Sequence, residues 1–223
     1  VRADGIDTDG ANIGALNAGN VDVNVVGDET IIYSNNLQVA KVETDAAILG
    51  TLNIAGVRLS IRNGRVEARS GDIDAGNVAL VKSSDLPEGG NLENVKIYKP
   101  VFILEPSGRY RATADMSLGS GVLGSIKLGA ARANVDLNND QVALNNLTAE
   151  VLEGNVNGDA TIAFNNRARS VINADFTNLD LGKLLALQGG KVVPIEGQTS
   201  GNVNLSFNGT NFKTASGNIS ADI

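Results

Sequence analysis

Residue types that usually carry chemistry are sparse in this 223-residue chain, and their spacing rarely suits it. The chain has no His and no Cys. Ser-His-Asp and Cys-His catalysis, zinc sites built on those ligands and disulfides are therefore excluded within it. Gly119-Ser120-Gly121-Val122-Leu123-Gly124 has the letters of a dinucleotide fingerprint. Phosphate binding needs those glycines to open a helix, yet Ser125-Ile126-Lys127-Leu128 alternates like a strand, so the segment reads as a glycine turn. Asp7-Thr8-Asp9-Gly10 has the opening of a calcium loop, but no Glu closes a twelve-residue loop. Asp72 and Asp74 flank Ile73, while Arg58, Arg62, Arg65 and Arg69 alternate with apolar or acidic neighbours. Both sets read as the wet side of strands, with contact to anionic headgroups as the functional alternative for the arginines. No Asp/Glu pair stands out for glycosidase-type acid–base work, so no enzymatic activity, cofactor or metal is expected.

The elements that must position these residues are strands. Val21, Val23 and Val25 share one parity, as do Val57, Leu59 and Ile61, and Tyr110, Ala112, Ala114, Met116 and Leu118. Ala131, Ala133, Val135 and Leu137 continue the pattern, followed by Ala160, Ile162 and Phe164, then Val203, Leu205 and Phe207. Interleaved residues are mostly Asn, Asp, Arg, Thr or Ser, the signature of antiparallel strands with one dry and one wet face. Asn63-Gly64, Asn157-Gly158 and Asn208-Gly209 are tight-hairpin pairs. Four Asn-Asn pairs, at 35–36, 138–139, 145–146 and 165–166, mark further turns or bulges. Gly-Asn-aliphatic occurs six times, beginning at Gly19, Gly76, Gly90, Gly154, Gly201 and Gly217. Each is expected to end one strand, turn and begin another, because both Gly and Asn tolerate positive φ. The apolar parity switches between Leu144 and Leu147 and between Val151 and Val156, so a bulge or turn is expected in each interval. Ser83 to Gly90 is the best linker and a possible subdivision of one elongated domain spanning 1–223. The segment from Asp180 to Gln188, with Leu181, Leu184 and Leu185 on one side, is expected to be a short helix capped by Asn178 or Asp180.

Composition narrows the architecture. Apolar residues make up 42% of the chain but aromatics only 4%, with no Trp. Large rings supply much of a compact core, so an aliphatic surface is indicated rather than a jigsaw interior. Net charge is −7, concentrated in the first fifty residues, and no basic, aromatic-studded stripe exists, which argues against nucleic acid. The longest strongly apolar run, Val101 to Leu104, is too short to span a bilayer. The chain opens on Val1 and stops at Ile223 inside an alternating pattern, and reads as an internal fragment whose targeting and anchoring segments are elsewhere. With about 10–12 residues per strand and turn, roughly 16–20 strands fit, beyond what an open sheet holds without curling. At about 4.8 Å per strand the sheet would be roughly 80–90 Å long. The fold class expected is all-β: a long, curled, mainly antiparallel sheet, folded into a gutter with a hydrophobic groove, plus one short helix. Groove-lining candidates are Val57, Leu59, Ile61, Val135, Leu137, Val142, Leu144, Ile162, Phe164, Val203, Leu205 and Phe207.

The stretch from Val135 to Phe164 resembles a recurring element of the AsmA-like (TamB) family of bacterial envelope proteins. The run from Ala174 to Leu187, with Pro194, Gly197 and Ser200-Gly201-Asn202-Val203, is similar to the same group, where a short Leu-rich helix precedes a Gly-rich return to strands. Val57 to Val66 and Ser70 to Ile73 give a weaker echo. The resemblance implies a periplasmic, taco-shaped sheet whose parent is anchored in the inner membrane of a diderm bacterium. It implies a hydrophobic groove for phospholipid acyl chains moving towards the outer membrane, and a parent chain that partners an outer-membrane barrel assembly protein. It carries no catalytic residues. A Gly/Asn-rich β-helix passenger or surface adhesin without a lipid groove is the alternative.

Overall fold

The structure is a computed structural model and describes residues 1–8, 10–83, 86–180, 182 and 197–222. Among the described residues, nineteen strand segments form a single sheet. Six consecutive pairs run end to end as one broken strand each. They are β1 (Arg2–Ala3) with β2 (Ile6–Thr8), β3 (Ala11–Ile13) with β4 (Leu16–Val26), and β5 (Glu29–Val39) with β6 (Val42–Thr44). The others are β7 (Ala47–Leu49) with β8 (Leu52–Arg62), β9 (Arg65–Arg69) with β10 (Ile73–Leu80), and β12 (Tyr110–Leu118) with β13 (Ser120–Leu123). Seven strands are unbroken: β11 (Gly90–Leu104), β14 (Ile126–Asn138), β15 (Gln141–Val151), β16 (Gly154–Ala163), β17 (Arg169–Asp180), β18 (Gln198–Asn208) and β19 (Asn211–Asp222).

The result is thirteen rungs in which each pairs, antiparallel, with the rung before and after it in sequence. This is the all-β curled antiparallel sheet expected. A β-helix would stack parallel coils, so that form of the alternative is not what the chain builds. Thirteen rungs at about 4.8 Å span roughly 58 Å, shorter than the expected 80–90 Å, because broken strands share a rung instead of adding one. β10 and β11, which flank the expected linker, pair from Ile73↔Ile97 to Leu80↔Gly90. The expected helix lies outside the described residues, apart from Asp180, the last residue of β17, and Gly182.

Turn chemistry is met in part. Asn63 (φ 50°) and Gly64 (φ 77°) join β8 to β9 as a tight hairpin, Asn138 closes β14 and Asn139 opens the connection to β15, and Gly124 (φ 59°) precedes β14. The parity switch after Leu144 is a bulge at Asn146 (φ 52°), and the one after Val151 is a tight turn at Leu152 and Glu153, both at positive φ. The Gly-Asn expectation is corrected. Gly90 and Gly154 do begin strands, but Gly19, Gly76, Gly201 and Gly217 lie inside β4, β10, β18 and β19. Asn157-Gly158 likewise sits within β16, and Gly209 and Thr210, not Asn208 and Gly209, turn β18 into β19. Positive φ is compatible with a bulge or a crease as readily as with a hairpin, and Asn20 and Gly76 bend a continuing strand in this way, while Asn157-Gly158, Gly201-Asn202 and Gly217-Asn218 stay in unbroken register.

No second layer covers the sheet among the described residues. Only nine hydrophobic residues are fully buried there, among them Val39, Ala75, Val78, Val95, Phe176 and Phe207. The accessible surface is 13485 Å², against roughly 9,600 Å² for a globular monomer of this mass. Ala75, Val78 and Val95 form one dry cluster, with Leu49, Leu52, Leu80, Leu92, Met116 and Leu118 packed on it. At the far end, buried Ser170 accepts the Ala163 N–H at 2.8 Å and donates to the Gly209 carbonyl at 2.5 Å, tying three rungs together beside Phe207.

Candidate functional site

Register turns the alternation into stripes that run across the sheet. On the apolar face Val23, Ile32, Leu59, Ala68 and Phe102 stand opposite one another in turn, and the line continues through Ala112, Leu137, Val142 and Ile162. A second line runs Val135, Leu144, Ala160, Ile172 and Leu205. A third begins Ala18, Leu37, Ile54, Ile73, Ile97, Met116 and Ala133. It crosses the bulge beside Leu147 and ends Gly158, Ala174, Val203 and Ile219. Cross-strand neighbours of this kind stabilise each other by a few tenths to 1 kcal/mol per pair.

Ten of the twelve expected lining residues lie on these or adjoining lines and are half-buried: Val57, Leu59, Ile61, Val135, Leu137, Val142, Leu144, Ile162, Val203 and Leu205. Leu59, Leu137, Val142 and Ile162 share one line, Val135, Leu144 and Leu205 another, and Val203 a third. Val57 pairs with Ser34, and Ile61 lies between Thr30 and Val66. The remaining two stand apart. Phe164 lies beyond the end of β16 and is 46% exposed, whereas Phe207 is 1% exposed and belongs to the packed end. Continuity of these stripes depends on register, which no single strand reveals.

Beside the third apolar line, on the opposite face, runs a polar stripe that sequence reasoning did not find. It starts Arg2, Asn17, Gln38, Asn53, Asp74 and Lys96, and ends Ser117, Arg132, Thr148, Asn157, Asp175, Asn202 and Ser220. It touches all thirteen rungs, and eleven of its members are exposed. Next to it the sheet is creased. Asn20 (φ 42°), Asn35 and Gly56 (φ 55°) are skipped over by the pairs on either side of them, so three successive rungs bend at one place. Gly56 suits that backbone because a Cβ is strained at positive φ. Lys99 (φ 43°) continues the bend, and beyond it amides take over. Asn134 donates to Asp115 at 2.5 Å, Asn146 donates to Asn134 at 2.7 Å, and the Asn146 N–H reaches Asp159 at 2.8 Å. Asp159, Asn173, Asn204 and Asn218 then face each other on the last four rungs.

This crease opens two clefts on the polar face, of about 770 Å³ between Arg2 and Tyr98 and about 800 Å³ between Tyr98 and Asp159. Tyr98 lines both and bonds Ser117 through its hydroxyl at 3.2 Å. Asp72 and Asp74 border the first cleft. Of the four arginines singled out in the sequence, three are ion-paired: Arg62 with Asp28 at 3.1 Å, Arg65 with Glu67 at 3.0 Å and Glu105 at 3.1 Å, and Arg69 with Glu67 at 2.6 Å. Hydrogen bonds from Arg69 and Arg65 hold the Glu67 carboxyl below its ordinary range, and the Arg62 bond does the same for Asp28. Arg111 and Asp136 form a further pair across β12 and β14. Most of the GxGxxG segment, expected to be a glycine turn, is strand β13, with the turn confined to Gly124 and Ser125 and strand β14 following, and Asp9 of the acidic loop lies outside the described residues. Among the described residues no group of His, Cys, Asp or Glu is arranged to hold a metal ion. In comparisons with protein-family models, curated proteins and solved structures, the chain matches none.

Proposed function

We propose that this chain is a periplasmic segment of an AsmA-like envelope protein, and that its apolar stripes form a trough sheltering phospholipid acyl chains between inner and outer membranes. One observation supports the reading above others: the aliphatic lines continue from rung to rung while most of their members remain at least half-exposed rather than sealed in a core. A surface of that kind needs a cover, and a hydrocarbon chain is one that asks for no directional partner. Each methylene removed from water contributes about 0.8 kcal/mol, so a 16-carbon tail gains at most about 13 kcal/mol. The parent chain would supply the membrane anchor and the contact with an outer-membrane barrel assembly protein.

The test is lipid mass spectrometry on protein purified gently from membranes, with Leu137→Asp and Leu205→Asp beside the native chain. Copurifying phospholipid that both substitutions remove, with lipid movement in cells lost alongside, is the expected result. Native protein free of lipid, together with full function of both variants in the parent chain, would end the proposal and leave a lipid-free adhesive surface as the reading.

A further inference from the structure

The polar crease is set off from Leu137 and Leu205, although Ala18, Leu37, Ile54 and Ile73 of the third apolar line border one of its clefts and Met116, Ala133 and Leu147 the other, and its polar composition points elsewhere. We propose that it is a binding groove for an extended, uncharged oligosaccharide, a β-1,4-linked pyranose chain lying along the sheet axis. Three features carry this. First, the lining is rich in amides and close to electrically balanced. Arg2 and Lys96 stand against Asp72 and Asp74 in one cleft, and Arg132 against Asp115 and Asp159 in the other. A polyanion or polycation gains little there, whereas Asn and Gln side chains both donate and accept and so match hydroxyl groups.

Second, several of these groups retain bonding capacity. Gln38 donates to Asn53 at 3.1 Å, and neither the Gln38 carbonyl nor the Asn53 amide nitrogen has a partner among the described residues. Asn17 and Asn157 make no side-chain hydrogen bond among the described residues, and both are exposed. Third, Tyr98 sits where the two clefts meet and also borders a third, of about 310 Å³. A ring at that midpoint offers a stacking surface for pyranose C–H groups, with few polar groups fixing orientation on either side. The stripe repeats at the rung spacing of about 4.8 Å, which is close to the advance per sugar in a β-1,4-linked chain. Each successive sugar thus meets a fresh polar pair.

Titration of ¹⁵N-labelled protein with cellohexaose and with chitohexaose tests this, using maltohexaose, which is curled, as the comparison. Saturable shifts of the Asn53, Tyr98 and Asn157 amides with either straight hexasaccharide, and none with maltohexaose, are expected. Tyr98→Ala should weaken binding about tenfold or more, a loss of about 1.4 kcal/mol. Asn17→Ala, an exposed site that tolerates truncation, should weaken it several-fold with an unchanged melting temperature. Leu137→Asp, on the other face, should leave it intact. Absence of shifts at millimolar sugar, equal shifts with maltohexaose, or unchanged binding by folded Tyr98→Ala and Asn17→Ala would each overturn the proposal. Because the lipid test is read at Leu137 and Leu205, neither of which lines these clefts, failure of one reading does not mimic failure of the other.

Discussion

Two apolar regions of this sheet use the same residue types and reach opposite outcomes. Around Ala75, Val78 and Val95 the side chains are dry, whereas Leu59, Leu137, Val142 and Ile162 on the first line stay half-open. The difference lies in the backbone. In the dry region the rungs break at 40–41, 50–51 and 70–72, and Asn94 bends β11 at φ 55°, so short segments bring Leu49, Leu80 and Leu92 onto Ala75, Val78 and Val95. In the open region β14, β15 and β16 run without a break and present their side chains as a surface. Bending, more than hydrophobicity, decides which aliphatic residue becomes core.

The comparison breaks if charge is tolerated equally in the two regions. Val78→Asp, at 7% exposure, buries an unpaired carboxyl and should cost more than about 4 kcal/mol, leaving no cooperative urea transition. Leu137→Asp, half-exposed, should keep a cooperative transition with a loss of about 1–2 kcal/mol. A milder contrast follows: Val95→Ala should lower stability by about 2 kcal/mol by opening a cavity, and Val142→Ala by less than about 1 kcal/mol, both read from urea midpoints at constant slope. At the packed end, Ser170→Ala leaves the Ala163 N–H without its acceptor and should cost about 1–3 kcal/mol, while Ser170→Thr retains the hydroxyl and most of the stability.

The smallest effect sharpens the contrast on the polar side. Asp28 and Glu67 have folded-state pKa values depressed by their arginine partners. Their stabilising contribution is thus fully present above the ordinary carboxylate range and lost as pH falls through the lower folded values. Acid titration of the urea midpoint should show a modest drop below about pH 4, reduced in the Asp28→Asn/Glu67→Gln double variant. Exposure of both pairs and screening by salt keep it small.

The faces of individual strands were legible in the sequence because a period of two survives any tertiary arrangement. Val57, Leu59 and Ile61, or Ala131 through Leu137, needed nothing else, and the Asn63-Gly64 hairpin and the bulge after Leu144 followed from turn chemistry and parity. Cross-strand order was not legible. It depends on each hairpin length and each bulge, and a one-residue change in either moves a rung by one position. The thirteen-member polar stripe, and with it the Tyr98 clefts, exists only after those offsets are summed. Gly-Asn pairs misled for a related reason: local sequence tells that the chain can turn, and neighbouring strands decide whether it does. At Gly201 an added Cβ would lie within 1.9 Å of the Ser220 carbonyl oxygen, so that glycine admits a neighbouring rung instead of reversing the chain.

Pairing only with its immediate predecessor and successor gives this protein the economy of a zip fastener. Each hairpin adds two teeth and needs no distant element to complete it, so growth, fraying and repair should all proceed from the free ends. Insertion of a whole hairpin would lengthen the ribbon with its stripes in step, whereas insertion of a single residue within one rung would throw only that rung's side chains to the wrong surface.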